Sequence, residues 1–215
     1  MMISTKKKYA NAIQSKHEAA LQEIHSKPKN IAIYQRDIQP LKTELAQIAA
    51  QVIECRTSGT VEEVLSDLKN YFDHHLTNCP GLLTDVGEVL ELFRKITQAS
   101  SFRLQLMTVN TDMCRKFHTD INVLRLLCTY IGPGTLWVPD EIVNYKALLR
   151  RGENQEIVSN EQEIQQVPTG DVVILKGGLY TDANPILHRS PTIEENGDKR
   201  LLLRIDTNEF LDFLT

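Results

Sequence analysis

The feature of this sequence that most constrains its fold is a change of hydrophobic period near Ala99. Before it, apolar residues recur at spacings of three and four; after it, they alternate with polar ones. Leu41, Leu45, Ile48, Ala49, Val52 and Ile53 mark a first helical stripe, which Ser58-Gly59 ends. Thr60 and Glu63 match a capping box, and Val61, Val64, Leu65, Leu68, Tyr71 and Phe72 form the next apolar face. Pro80-Gly81 reads as a turn, after which Thr84 or Asp85 caps a third stripe carrying Val86, Val89, Leu90, Phe93 and Ile96. Strand rhythm then appears at 102–107, 114–118, 123–130, 136–138, 172–175, 185–189 and 200–206, broken by turns such as Gly132-Pro133-Gly134. Helices followed by many short strands predict an α+β fold, with a helical layer packed outside one sheet of a sandwich or barrel.

Within that scheme residues 1–30 are polar and lysine-rich and read as a mobile lead, leaving 31–215 as a single domain. The helical layer occupies 31–99, opening with a short edge strand at 31–34, and the β core occupies 100–215. Residues 140–166 read as a polar excursion covering the mouth of a pocket, and 210–214 as a C-terminal apolar flap. A net charge of −4 gives no reason to invoke nucleic acid or an anionic membrane. No apolar run approaches the ~20 residues that span a bilayer. Lys6, Lys7 and Lys8 are followed by no apolar segment of the kind a secretory signal carries. Cys55, Cys79, Cys114 and Cys128 lack paired or zinc-ribbon spacing, so they read as free thiols in a reducing cytoplasm. A zinc cluster of His74, His75 and Cys79 is disfavoured, because adjacent histidines on a helix point in different directions.

The chemistry concentrates at Cys-Arg-Lys-Phe-His-Thr-Asp, residues 114–120. On an extended strand His118 and Asp120 leave the same face, and imidazole with carboxylate is two thirds of the facial site for ferrous iron. Downstream, His188 shares a strand face with Ile186, whereas Arg200, Leu202, Arg204 and Asp206 share one face of 200–206. Leu201, Leu203 and Ile205 form the opposite face, suited to the helical layer. That arrangement directs two arginines away from the helices, and a buried guanidinium calls for an anion.

The order His118-x-Asp120, His188, Arg200 resembles that of the iron(II)/2-oxoglutarate-dependent dioxygenases, which adopt a double-stranded β-helix, the cupin-like jelly roll. The segment Val167-Pro-Thr-Gly-Asp-Val-Val-Ile-Leu-Lys-Gly177 resembles the strand after the long insert of that fold. The 114–120 segment followed by Arg125-Leu-Leu-Cys-Thr-Tyr-Ile-Gly-Pro-Gly-Thr-Leu-Trp137 resembles, in a match over most of the chain, a bacterial family of unknown function, which carries an association with zinc homeostasis and its metal-chaperone GTPases. These resemblances imply Fe(II) on His118, Asp120 and His188, and 2-oxoglutarate held by Arg200 with Arg204 as assistant. They imply oxidation of a small-molecule or peptide substrate with release of succinate and CO2. Arg125, Thr129, Tyr130 and Trp137 would line the substrate pocket. Leu202 departs from the family, which has a small or hydroxyl residue two places after the arginine. Cys114 on the His118 face raises the alternative of zinc in a non-oxidative metal-binding protein. A non-enzymatic interaction module is the third reading.

Overall fold

The structure, a computed structural model, describes residues 8–76, 78–181 and 184–208. The predicted flap at 210–214 lies outside the described residues. In chain order the strands are β1 (Ala12–Ser15), β2 (Ile31–Tyr34), β3 (Glu54–Gly59), β4 (Phe102–Val109) and β5 (Leu124–Ile131), then β6 (Leu136–Trp137), β7 (Gln165–Gln166), β8 (Val172–Lys176), β9 (His188–Arg189) and β10 (Arg200–Thr207). The helices are α1 (Lys42–Ile48), α2 (Val61–His75), α3 (Pro80–Thr97), α4 (Tyr145–Leu149) and α5 (Asn154–Ile157). The result is a mixed α+β fold with two sheets: seven strands in the order β1-β2-β8-β5-β10-β4-β3, and three in the order β7-β6-β9.

The strand alternation decides which side each residue serves. Leu201, Leu203 and Ile205 of β10, with Leu104 and Leu106 of β4 and Leu126 of β5, pack in one cluster with Val64 and Leu68 of α2 and Val86, Val89 and Phe93 of α3. The helices therefore cover one face of the large sheet. The other face meets the small sheet, where Leu127, Val173 and Leu175 pack with Trp137, Val167 and Ile186.

α2 starts as its sequence predicts, with both hydrogen bonds of the Thr60–Glu63 capping box formed. Pro80-Gly81, expected to be a turn, instead opens α3, because proline suits the first helical position. The Glu44 carboxylate of α1 accepts from the amides of Gly81 and Leu82, at 2.9 and 2.7 Å, and caps that end. The first stripe gives only the seven residues of α1; Val52 is 80% exposed, and Glu54–Gly59 forms the edge strand β3 rather than a helix end.

The 31–34 segment is not an edge, since β1 pairs with it in parallel and covers it. Residues 8–30, grouped above with a polar lead, include a strand and a 3-10 turn at Glu18–His25 whose Leu21 and Ile24 are 0% exposed. Residues 1–7 lie outside the described residues. The 140–166 excursion carries its own small core, where Ile142, Ala147, Ile157 and Val158 pack with Phe117 and Leu187.

Candidate metal centre

His118 and His188 are placed by one backbone device. Their amides and carbonyls exchange two hydrogen bonds of 3.0 Å in an isolated antiparallel bridge, which sets both side chains on the same side. The ring centroids lie 4.6 Å apart. Each ring is then fixed at Nδ1 by a carbonyl two residues earlier: Lys116 O at 3.0 Å for His118 and Ile186 O at 3.2 Å for His188. With Nδ1–H donating there, the lone pair of each neutral ring sits on Nε2, the form that ligates metals.

Both Nε2 atoms face Asp120, at 3.8 Å for His118 and 3.3 Å for His188. One ligand atom from each of the three residues falls within 4.8 Å of the other two, so the group can hold a metal ion. Burial together with the proximity of His188 lowers the His118 pKa, which favours the neutral ring. Burial pushes the Asp120 carboxyl up, but the neighbouring His188, Arg125 and His118 outweigh this and hold it well below the usual carboxylate range.

The expected strand through 114–118 is reduced to the His118 bridge. Phe117 N–H binds the Asn154 side chain at 2.9 Å instead of a neighbouring strand, and Asp120 stands in a loop. That loop is laid on Gly177-Gly178-Leu179: Gly177 N–H donates to Val123 O, Gly178 N–H to Asp120 O and Leu179 N–H to Asn122 O, at 3.0, 2.7 and 3.0 Å. A Cβ at Gly177 would collide with the Asn122 side-chain and backbone oxygens, so only glycine permits this approach.

The remaining predicted residues do not all face the cavity. Arg125 lines the cavity but is committed to carboxylates, pairing with Asp120 and, through Nε at 2.7 Å, with Asp206. Asp206 also accepts from Asn122 at 3.0 Å and from Arg204 Nε at 2.6 Å. Thr129 is buried and its hydroxyl accepts from Arg200 at 3.1 Å, with Thr135 a second acceptor at 3.5 Å.

Tyr130 and Trp137 do not belong to the pocket. Tyr130 has the opposite parity to Thr129, so it points into the helical layer, where its hydroxyl donates to Asp85 at 2.6 Å. Trp137 is fully buried between the sheets with Tyr9 edge-on to its ring. The excursion at 140–166 contributes no lining residue; it braces the approach to His118 through Asn154 and the Lys116–Glu153 ion pair. His74 and His75 sit on Asn70 O and the Tyr71 ring, and they form no metal-ligating group among the described residues.

Arg200 and the triad histidines share one cavity of about 90 Å³. Arg200 is 1% exposed, no described carboxylate forms an ion pair with it, and its Nε has no hydrogen-bond partner. Burial alone pulls its pKa down to about 10. Sequence reasoning missed Thr135 and Asn122; the only signal for Thr135 was a hydroxyl placed just after the Gly132-Pro133-Gly134 turn.

A helix-backed large sheet facing a small one, with a two-histidine, one-carboxylate donor group that could hold a metal ion, defines a two-sheet α+β protein. Residues 15–206 match the family described as "Protein of unknown function (DUF1826)", and the chain belongs to that family. No curated protein matches it. Among solved structures it is similar to the dioxygenase for auxin oxidation 1 of Arabidopsis thaliana in its 2-oxoglutarate complex, at 9% identity and TM-score 0.49, over 91% of each chain. It is also similar to a Pseudomonas putida prolyl-4-hydroxylase at 9% identity and TM-score 0.44, covering 88% of this chain and 97% of that one. A full-length protein of Neurospora crassa, solved in complex with alpha-KG, aligns at 14% identity and TM-score 0.47, covering 94% of this chain and 88% of that one. Among the described residues no helix is long and apolar enough to cross a membrane.

Proposed function

We propose that this protein is an Fe(II)/2-oxoglutarate-dependent oxygenase built on a double-stranded β-helix, oxidising a small molecule or peptide with release of succinate and CO2. The fold reading is supported by strand order: β8-β5-β10-β4 facing β7-β6-β9 and the His118 bridge fits the eight-strand pattern of a jelly roll. The observation that carries the function is Arg200, a buried guanidinium with an unpartnered Nε in the cavity that His118 and His188 line. A buried cation without a carboxylate fits a site completed by an anionic ligand.

The donor set suits ferrous iron, being two imidazoles and one carboxylate with no thiolate among the converging atoms. Cys114 lines the cavity but lies outside that donor group. Bound iron would supply oxygen activation and the oxidising power. The chain's own part is to hold His118 and His188 in one tautomer, to keep Asp120 ionised beside Arg125, and to orient the cosubstrate's distal carboxylate at Arg200. The apolar wall of Leu127, Leu202 and Met107 limits water there.

The test is anaerobic calorimetry of 2-oxoglutarate with and without Fe(II), followed by succinate analysis in air. Metal-dependent binding that Arg200→Gln abolishes, together with slow succinate release, is the expected result. Tightly bound zinc with no response to 2-oxoglutarate would overturn the oxygenase and favour a non-oxidative metal protein.

A further inference from the structure

The cavity-side face of the large sheet carries more positive charge than its carboxylates answer. Strand register places Gln105 opposite Arg204 and Arg103 opposite Asp206 across β4 and β10. On the outer side, Arg56 and Ser58 of β3 stand opposite Gln105 and Arg103. Directly opposed residues share a face, so Arg56, Arg103 and Arg204 form a basic shelf around Gln105, and Gln105 and Arg204 line the cavity itself. The local carboxylates are already engaged: Asp206 binds Arg125 and Arg204, and Glu54 binds Arg56. Arg103 forms no ion pair among the described residues, and its Nε is shielded from solvent without a hydrogen-bond partner.

Two guanidiniums on this face thus lack an anion, and they are far apart. Arg200 begins β10, whereas Arg103 is opposite Asp206 near its end. Six residues of strand separate those positions, roughly 20 Å at about 3.3 Å per residue. One five-carbon diacid cannot serve both.

We infer that the shelf is the primary-substrate subsite and that the substrate carries a carboxylate or phosphate, gripped by Arg103 with Arg204. The inference rests on the oxygenase reading of the cavity, in which Arg200 is reserved for 2-oxoglutarate. The substrate's anionic group docks on the β3–β4–β10 side, and the remainder of the molecule extends over Gln105 and Arg204, which line the cavity, toward the triad.

The experiment uses inorganic phosphate as probe, followed by phosphorus NMR on metal-free protein. Phosphate binds wild-type and Arg200→Gln protein alike, and Arg103→Gln weakens it about tenfold or more, the loss of a charge-assisted hydrogen bond. Arg103→Lys, which keeps the charge, recovers part of the affinity; a thermal melt verifies that each variant is folded. In parallel, 2-oxoglutarate binding to the Mn(II)-loaded protein is lost in Arg200→Gln and retained in Arg103→Gln. Phosphate affinity unchanged by Arg103→Gln, or abolished by Arg200→Gln alone, overturns the second anion site. If phosphate titrates Arg103 while 2-oxoglutarate binds no form of the protein, the oxygenase reading falls and takes the substrate assignment with it, leaving an anion site alone.

Discussion

At the scale of single residues, the stability and the proposed role of Arg200 pull in opposite directions. Its folded pKa, brought down to about 10 by burial, lies below the unfolded value, so folding disfavours the charged form. The penalty is fully present at neutral pH and is relieved only as pH rises through about 10. Arg200→Met should therefore raise the melting temperature of the ligand-free protein, by about 2–4 °C for each kcal/mol recovered at this chain length. The same variant should gain no further stabilisation when 2-oxoglutarate is added to the metal-loaded protein. A lowered melting temperature would mean that the Thr129 and Thr135 contacts outweigh desolvation. Arg125 makes the complementary case. It holds Asp120 from behind the donor group and leans on Asp206, which keeps Arg204 as a partner when Arg125 is removed. Arg125→Gln is expected to lower Mn(II) affinity about 10–100-fold, the usual cost of losing a partner that orients a ligand. Calorimetry on the folded variant gives the number, and an unchanged affinity would show that Asp120 is positioned by its Gly178 backbone contact alone.

Among the elements, those with long periodic stripes were legible and those with polar composition were not. Leu201, Leu203 and Ile205 alternate cleanly, and β10 puts them against the helices as the sequence implies. The same alternation placed Arg200 and Arg204 on the cavity face, which is why much of the candidate site could be read before the fold was known. Glu54–Gly59 has one apolar side chain, Cys55, in six residues, so edge strand β3 left no hydrophobic signature. The chain from Ala12 to His25 failed for a related reason: its buried face consists mainly of Leu21 and Ile24, three residues apart among charged neighbours. A spacing of three is the 3-10 period, too short a run to register as a helix. Asp120 was legible as a donor beside His118 but not as a loop residue, because the support under it comes from Gly177 and Gly178, far downstream in the chain. Leu21 provides the test at this scale. Leu21→Ala should destabilise the protein by about 2–5 kcal/mol, as for other fully buried leucines, measured by urea denaturation. A cost of only a few tenths would return residues 8–30 to the status of a dispensable lead.

For the whole molecule, the large sheet separates the ion pairs that tie the helical layer down from the groups proposed to do chemistry. On the helical side Asp85 of α3 joins three elements: it takes a bidentate pair from Arg36 at 2.7 and 2.9 Å and the Tyr130 hydroxyl at 2.6 Å. Arg36 in turn donates to Gly170 O at 2.7 Å, so the segment after β2, α3, β5 and the turn before β8 are joined through one ion pair. Burial, with Cys128 and Asp85 alongside, pushes the Tyr130 hydroxyl well above its ordinary pKa, keeping it a donor. Asp85→Ala strands the Arg36 guanidinium, and the expected cost is about 3–5 kcal/mol, the range for breaking a buried pair from one side. Asp85→Asn should cost less, since an amide oxygen still accepts from Tyr130. In neither variant should the folded protein bind Mn(II) differently, because no contact of Asp85 crosses to the triad face. Urea midpoints at constant slope report the stability, and metal titration well below the transition reports the site. A fall in metal affinity that tracks the loss of stability in the Asp85 series would show instead that the helical layer sets the spacing of His118, Asp120 and His188 through the sheet.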